Sequence, residues 1–261
     1  MSFWPGKCVL ITGASSGIGR ALALHLAENG ARVGLLARRK DKLAELCGRI
    51  EEMDRRAAFA VADVTDPDQV EQAVRTLEQL LGLTDVLIAN AGMHRYSQGS
   101  VFSGACAREV IDVNVNGVIN TIDSVLPSMA DRRSGQIVAI ASIAALLGMP
   151  EVGAYCASKS ALVTLMESLR LDLHGYGIKV TTICPGFVDT PLIADHSRRA
   201  LKFLLGPDEA ARRIARAIER GRPEYWFPWQ TWLLARLARA LPFGMYRKLC
   251  ELLPRAPLHS N

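Results

Sequence analysis

A glycine-rich turn between an apolar strand and an apolar helix constrains the fold of this chain more than any other feature. Cys8–Thr12 is a short apolar run, typical of a buried strand. Gly13, Gly17 and Gly19 follow in a Gly-x-x-x-Gly-x-Gly pattern, and helical periodicity begins at Arg20. Because glycine has no Cβ, the backbone of such a turn can approach a pyrophosphate at the helix N-terminus. The pattern predicts a nucleotide site, with a tight turn that holds no ligand as the alternative.

Strands and helices alternate along the rest of the chain. Apolar runs predict strands, and helical periodicity predicts the helices between them. The predicted strands are 8–12, 32–37, 57–61, 85–89, 136–141 and 179–184, and the predicted helices are 20–29, 41–53, one that starts at 66–67, 101–113, 117–130 and 152–174. This alternation predicts a parallel sheet covered on both faces. Right-handed crossovers then give an α/β fold with a single doubly wound Rossmann-type sheet.

The composition is that of a globular protein from a reducing compartment. The chain has 261 residues, 49% of them hydrophobic, which is enough for one α/β domain with a large core. Six scattered cysteines show no Cys-x-x-Cys pair and no histidine at metal spacing, so no metal site is expected. The sequence shows no cleavable leader and no apolar run of about 20 residues. These features predict a cytoplasmic protein.

Two arginines, Arg38 and Arg39, follow the second predicted strand. Dinucleotide sites for NAD usually carry Asp or Glu at this place, where it binds the ribose 2′-hydroxyl. A guanidinium instead suits a 2′-phosphate. The pair therefore favours NADP(H) over NAD(H), unless these arginines only keep a loop soluble.

Tyr155 and Lys159 lie four residues apart, which places them one turn apart on one face of the helix 152–174. A free tyrosine has a pKa of about 10 and exchanges protons poorly near pH 7. A fixed lysine charge favours the phenolate and is expected to lower that pKa. The pair predicts acid–base chemistry, although the spacing alone often arises by chance.

Several motifs in order along the chain carry a resemblance to a known family. They are Thr12-Gly-Ala-Ser-Ser-Gly-Ile-Gly19, Asp63-Val64, Asn90-Ala-Gly92, Asn114, Ser142, Tyr155-x-x-x-Lys159 and Pro185-Gly186. As a set, between about residues 7 and 191, they resemble the classical short-chain dehydrogenase/reductase family. One departure is Ala89, where the family often has a further Asn.

The resemblance implies a nicotinamide cofactor and a catalytic tetrad of Asn114, Ser142, Tyr155 and Lys159. Ser142 would hydrogen-bond the substrate carbonyl, Tyr155 would transfer the proton, and Lys159 would lower the tyrosine pKa and hold the ribose. Asn114 would support a water that relays protons to Lys159. Together with the two arginines, the expected cofactor contacts are Gly13, Ser15, Ser16, Gly17, Ile18, Gly19, Arg38, Arg39, Asp63, Val64, Asn90, Ala91, Gly92, Tyr155, Lys159, Pro185, Gly186, Val188 and Thr190.

The substrate side is less informative. Residues 192–206 resemble the family's substrate loop and carry six apolar side chains. His94 and Arg95 are the candidates for a clamp on a substrate carboxylate. The apolar loop favours an apolar ketone or alcohol of lipid or steroid type, and family members commonly form homodimers or homotetramers through the helices that carry Asn114 and Tyr155.

The chain continues beyond the expected last strand, Tyr225-Trp-Phe227. We divide it into a catalytic domain, 1–227, and an amphipathic helical extension, 228–261. The extension combines Trp229 and Trp232 with arginines at helical spacing, a pattern that can lie on an anionic membrane. Packing on the domain, capping the substrate cleft or forming a subunit interface are the alternatives.

Two other functions compete with an enzyme. A catalytically silent nucleotide-binding regulator or scaffold would keep the glycine turn, but the intact tetrad argues against it. The net charge of +5 lies largely in the last quarter, which raises nucleic-acid binding. The aromatic residues there follow an amphipathic pattern instead of a basic groove, so no nucleic-acid partner is expected.

Overall fold

The computed structural model of the protein describes residues 3–95, 102–192 and 203–251. Within them lies one sheet of seven strands: β1 (Cys8–Thr12), β2 (Arg32–Ala37), β3 (Ala57–Val61), β4 (Val86–Ala89), β5 (Gly135–Ile140), β6 (Ile178–Pro185) and β7 (Glu224–Phe227). The strand order is β3-β2-β1-β4-β5-β6-β7, and all neighbours are parallel. Strand order reverses between β1 and β4, so the crevice for a ligand lies at their carboxyl ends.

The helices are α1 (Gly17–Glu28), α2 (Lys40–Glu51), α3 (Pro67–Leu81), α4 (Gly104–Ile111), α5 (Gly117–Arg132), α6 (Gly153–Asp172), α7 (Pro207–Glu219), α8 (Trp229–Arg239) and α9 (Phe243–Glu251). A π-helical turn, Asp112–Asn116, joins α4 to α5. A 3-10 turn, Ile143–Leu146, follows β5.

Apolar side chains form two cores, one on each face of the sheet. Buried residues of α1, α2 and α7 pack on one face, and those of α3, α5 and α6 pack on the other. The central strands β1 and β4 are buried throughout, because both of their faces are covered. This arrangement confirms the predicted single doubly wound α/β sheet.

Helix ends follow local signals. Asp66 accepts a hydrogen bond from the Gln69 backbone N–H and caps α3, whose first residue is Pro67, as predicted. Helix α7 was absent from the predicted elements, although Gly206, Pro207 and two acidic residues mark its start. The predicted helix 101–113 begins at Gly104 in the structure.

The C-terminal helices α8 and α9 lie outside both cores. Neither helix contains a buried residue, and α8 contacts β7 and the Ile143–Leu146 turn. The predicted boundary between 227 and 228 falls between β7 and α8 and stays a prediction. Within the described ranges, none of the helices has the length and apolar character needed to span a membrane.

Candidate active site

The glycine turn forms a cradle that side chains would fill. Gly13 and Gly17 adopt φ values of +65° and +55°, the left-handed region that favours glycine. A Cβ at Gly19 would lie 2.5 Å from Asn90 Nδ2 and 2.5 Å from the Gly13 carbonyl oxygen. Helix α1 begins at Gly17, so its free N–H groups point into this cradle. The turn therefore fits the pyrophosphate of a dinucleotide.

Thr12, which was not among the predicted contacts, joins the glycine turn to the end of β4. Its buried hydroxyl accepts hydrogen bonds from the backbone N–H groups of Asn90 and Ala91, both at 3.0 Å. Asn90 Nδ2 returns hydrogen bonds to the carbonyls of Thr12 and Gly13 at 3.0 and 3.3 Å. The predicted residues Asn90 and Ala91 are thus fixed against the turn. In the sequence, Thr12 stands out as the last residue of the first strand and the first residue of the glycine motif, but neither feature shows which groups its hydroxyl bonds.

The two arginines at the end of β2 converge on predicted contacts. Arg39 donates to the hydroxyls of Ser15 and Ser16, each at 2.8 Å. Arg38 reaches Asp63 at 3.5 Å and remains largely exposed. Burial acts to raise the pKa of Asp63, but hydrogen bonds from Thr65 and the Arg38 charge outweigh it and leave the pKa lowered. The cationic pair lies beside the cradle, as the sequence predicts.

Val64 and Ile18 are structural neighbours of this region. Val64 is buried, and a Cβ at Gly117 would lie 2.6 Å from its Cγ2. The Val64 carbonyl accepts a hydrogen bond from Asn120 at 2.9 Å. Ile18 packs against the core of the α1 face. Their expected contacts with a cofactor stay predictions.

Ser142, Tyr155 and Lys159 meet beyond the carboxyl end of β5. Ser142 accepts a hydrogen bond from the Ala144 N–H at 3.1 Å and also bonds the Tyr155 hydroxyl. Lys159 is buried, donates to the Ile140 carbonyl at 2.8 Å, and has its Nζ 5.8 Å from the Tyr155 ring centre. The sequence-predicted trio therefore forms one cluster.

The expected lowering of the Tyr155 pKa is wrong for this structure. Burial raises the pKa of Tyr155, and the hydrogen bond with Ser142 offsets only part of that rise. Burial also lowers the pKa of Lys159 to about 8. Each group loses hydration of its charged form, which disfavours both the phenolate and the ammonium.

Asn114 is fully buried in the π-helical turn and fastens the segment after β4. Its Oδ1 accepts from the Met93 N–H at 2.8 Å, and its Nδ2 donates to the Met93 carbonyl and to Ser158 Oγ, each at 2.9 Å. Both side-chain donors are thus used. Gly92 lies between the catalytic groups, since a Cβ there would come within 3.3 Å of Asn114 Oδ1 and 3.5 Å of Lys159 Nζ.

The loop after β6 returns to the glycine turn. Pro185 ends β6, and Gly186 donates its N–H to the Phe227 carbonyl. Val188 is buried and pairs with Leu205, while the Thr190 methyl would lie 3.1 Å from a Cβ at Gly17. The loop thus reaches the glycine turn, and the expected contacts of Val188 and Thr190 with a cofactor stay predictions.

Of the two candidates for a carboxylate clamp, only His94 faces the cluster. Its ring centre lies 6.0 Å from that of Tyr155, and burial together with the Arg95 charge lowers its pKa. Arg95 is held by two hydrogen bonds from its guanidinium to Glu109, at 2.9 and 3.1 Å. Most of the predicted substrate loop, residues 193–202, lies outside the described residues.

No group of three or more histidine, cysteine, aspartate or glutamate side chains in the described segments is arranged to hold a metal ion. The buried Cys184 lies near Lys159, and burial raises its pKa strongly. The cluster is thus built from a phenol, a hydroxyl, an amide and an amine, a set suited to moving a proton on oxygen.

Comparison with known proteins agrees with this geometry. The sequence profile described as short chain dehydrogenase matches residues 7–200. An uncharacterized oxidoreductase of Myxococcus xanthus is 38% identical over 240 residues, 92% of this chain and 94% of that protein. Oxidoreductase UcpA of Escherichia coli K12 is 37% identical over 83% of this chain and 82% of its own length.

Solved structures show the same likeness. The crystal structure of levodione reductase superposes with a TM-score of 0.80 at 27% identity, over 86% of this chain and 97% of that one. A short-chain type dehydrogenase/reductase from Mycobacterium marinum gives a TM-score of 0.77 at 31% identity, over 81% of this chain and 87% of that one. The profile matches most of the chain, the relatives match it in length, and the solved structures share its fold. The protein is therefore an oxidoreductase of the short-chain dehydrogenase family.

Proposed function

We propose that the protein interconverts an apolar ketone and its secondary alcohol with NADP(H), and that Tyr155 moves the proton. The cluster of Ser142, Tyr155 and Lys159 beside the glycine cradle is the observation that supports this most directly. The cradle of Gly13, Gly17 and Gly19 would hold the pyrophosphate. The nicotinamide, when bound, gives or accepts the hydride.

Each catalytic side chain has a role that its contacts permit. Ser142 accepts from the Ala144 N–H, and its hydroxyl can turn its proton from Tyr155 to the substrate oxygen when the substrate binds. Tyr155 is protonated near neutral pH and can donate to the same oxygen. Lys159 uses one of its three donors on Ile140, which leaves the others for ribose hydroxyls.

Asn114 is a positioning residue, which acts through the groups that its side chain holds in place. Because both donors of its side-chain amide are engaged, that amide holds Met93 and Ser158 in place. Ser158 in turn donates to the Tyr155 carbonyl at 2.7 Å. We infer that Asn114 aligns the helix of Tyr155 with the segment after β4, in addition to the water-supporting role that the family resemblance implies.

Arg38 and Arg39 support the choice of NADP(H). Both follow β2, where the adenosine ribose of a dinucleotide lies in this fold. The hydrogen bonds from Arg39 to Ser15 and Ser16 place a guanidinium over the cradle entrance. The 2′-phosphate of NADP(H) would have two cationic neighbours here. NAD(H) has no such phosphate, so Asp63, which pairs with Arg38, would be the anionic group beside the two arginines.

The experiment that tests the function is reduction of a panel of ketones, followed by NADPH absorbance, with wild type and Tyr155→Phe. We expect the variant to lose at least about 100-fold in kcat, because the proton donor is removed, while NADPH binding persists. Full turnover by Tyr155→Phe would defeat the catalytic assignment. A wild type that binds NADPH but turns over no ketone or alcohol would favour the silent regulator or scaffold.

We also propose a homo-oligomer built on α5 and α6. Ile119 and Leu171 are apolar side chains exposed to 43% and 75% on these helices. A second copy of the chain would cover them and remove apolar surface from water. The helices also carry the catalytic tyrosine and the asparagine turn at their starts, so a subunit contact would stiffen the site.

The extension further supports peripheral contact with an anionic membrane. Trp229, Phe243 and Met245 are exposed to 65%, 79% and 57%, next to the exposed cations Arg247 and Lys248. We expect Phe243→Ser with Met245→Ser to reduce co-sedimentation with anionic phospholipid vesicles. Leu80→Ser is the matched control, because Leu80 is 55% exposed on α3, away from the extension and from the proposed subunit contact. If wild type, the double variant and the control variant sediment equally, Phe243 and Met245 do not bind the membrane. Packing on the domain or a subunit interface would then explain the extension.

A further inference from the structure

A long-range hydrogen bond joins the last helix of the C-terminal extension to the segment between Ser142 and Tyr155. Tyr246 of α9 donates its hydroxyl hydrogen to the Gly148 carbonyl at 2.6 Å, across 98 residues of sequence. Helix α9 has no buried residue, so little else of this helix is enclosed by the domain. Burial and the neighbouring Cys250 raise the pKa of Tyr246, which keeps its hydroxyl protonated as a donor.

Gly148 occupies a sensitive place in the chain. It lies six residues after Ser142 and seven before Tyr155, in the connection between the two groups that contact the substrate oxygen. The start of this connection is fixed, because Ser160 of α6 donates to the Ala145 carbonyl at 2.6 Å. Gly148 itself is exposed on the domain, and the Tyr246 hydroxyl of α9 bonds its carbonyl.

The preceding helix, α8, packs against the loop after β6. The Gly186 N–H donates to the Phe227 carbonyl at 2.6 Å, one residue before the extension starts. A Cβ at Gly186 would lie 3.2 Å from Pro228 and 3.5 Å from Thr231 of α8. Helix α8 also contacts the Ile143–Leu146 turn. The extension therefore bridges the loop after β6 and the segment after Ser142.

We propose that Tyr246 fastens this bridge, so that α8 and α9 form one wall of the substrate site and hold the far end of an elongated apolar substrate. The proposal rests on the ketone–alcohol function above. A small ketone occupies only the space near Ser142 and Tyr155 and does not reach the wall. A long-chain ketone extends from the same reacting carbon to the extension, whose surface offers apolar side chains such as Leu233 and Leu237.

The test compares Tyr246→Phe with wild type and with Tyr176→Phe, which alters an exposed tyrosine of the 3-10 turn His174–Tyr176. Tyr246→Phe should lower kcat/KM for a long-chain methyl ketone about fivefold, the effect of one ordinary hydrogen bond, mainly through KM. Its kcat/KM for a small ketone such as butanone should stay at the wild-type value. Tyr176→Phe should change neither.

A second measurement does not depend on activity. Trypsin should cleave after Arg247 and Lys248 about fivefold faster in Tyr246→Phe, because the freed helix opens more often, and at the wild-type rate in Tyr176→Phe. Equal cleavage of the two variants would overturn the proposal, and so would an equal loss on both ketones. If wild type turns over neither ketone but cleavage differs as expected, the proposed function fails while the Tyr246 contact stands.

Discussion

Thr12→Val should destabilise the protein much more than its small change in shape suggests. The substitution keeps the volume of the side chain but removes the acceptor shared by the Asn90 and Ala91 backbone N–H groups. A fully buried donor left without a partner costs about 1–3 kcal/mol; these two are partly buried, so together they cost at most about 2–6 kcal/mol. A domain has only about 5–15 kcal/mol of unfolding free energy, so this loss is large.

Urea unfolding measures the effect, with Thr12→Ser and Thr76→Val as controls. Thr12→Ser keeps the acceptor and should recover most of the stability. Thr76 donates to the Gln72 carbonyl on α3, and valine there should change the unfolding free energy by about 0.5 kcal/mol or less. NADPH affinity of Thr12→Val should also fall, because the same hydroxyl positions the glycine turn. An unfolding free energy for Thr12→Val within error of that for Thr76→Val would refute the reasoning.

Two further predictions concern charge. Arg38→Asp should lower the preference for NADPH over NADH at least about tenfold in kcat/KM, because it places a carboxylate beside the 2′-phosphate; an unchanged ratio would remove Arg38 from the cofactor site. The folded-state pKa of Lys159 is about 8, below its ordinary value of 10.5. Between pH 8 and pH 10.5 the unfolded chain therefore binds more protons than the folded chain, and stability rises with pH. The reason is that the free-energy cost of burying the Lys159 charge falls as the amine loses its proton. In urea unfolding at pH 7.5, 8.5 and 9.5, wild type should therefore gain stability relative to Lys159→Met by about 1–3 kcal/mol, and a constant difference would contradict the lowered pKa.

The sheet could be predicted from sequence because its strands are buried on both faces. A short continuous apolar run such as Cys8–Thr12 predicts a buried strand, and a glycine turn after it marks where the strand ends. The candidate site residues Ser142, Asn90 and Thr190 come together for a related reason: each follows the end of a strand, and parallel strands bring their carboxyl ends to one edge. Helix α7, Pro207–Glu219, carried clear start signals but was not among the predicted elements, because no element was assigned between the loop 192–206 and the strand 225–227.

The pKa values and the role of Thr12 could not be read from the sequence. A Tyr-x-x-x-Lys spacing shows that an ammonium lies near a phenol, but not how much hydration both groups lose. In the structure, burial dominates and moves the pKa of Tyr155 upward and that of Lys159 downward. Likewise, the Thr12 hydroxyl gains its two donors from a strand about 78 residues away, a distance over which local patterns carry no information.

The raised pKa of Tyr155 and the lowered pKa of Lys159 decide which protonation states the reaction starts from. Near pH 7, Lys159 remains mostly charged and Tyr155 is protonated, which is the state that carbonyl reduction requires. The oxygen that receives the proton becomes an alkoxide, which is more basic than a phenolate, so a tyrosine with a raised pKa can still donate to it. Alcohol oxidation requires a phenolate before the chemical step, and burial opposes its formation. Raising the pH through 8 would also remove much of the Lys159 charge, so both burial and the loss of a neighbouring cation act against phenolate formation.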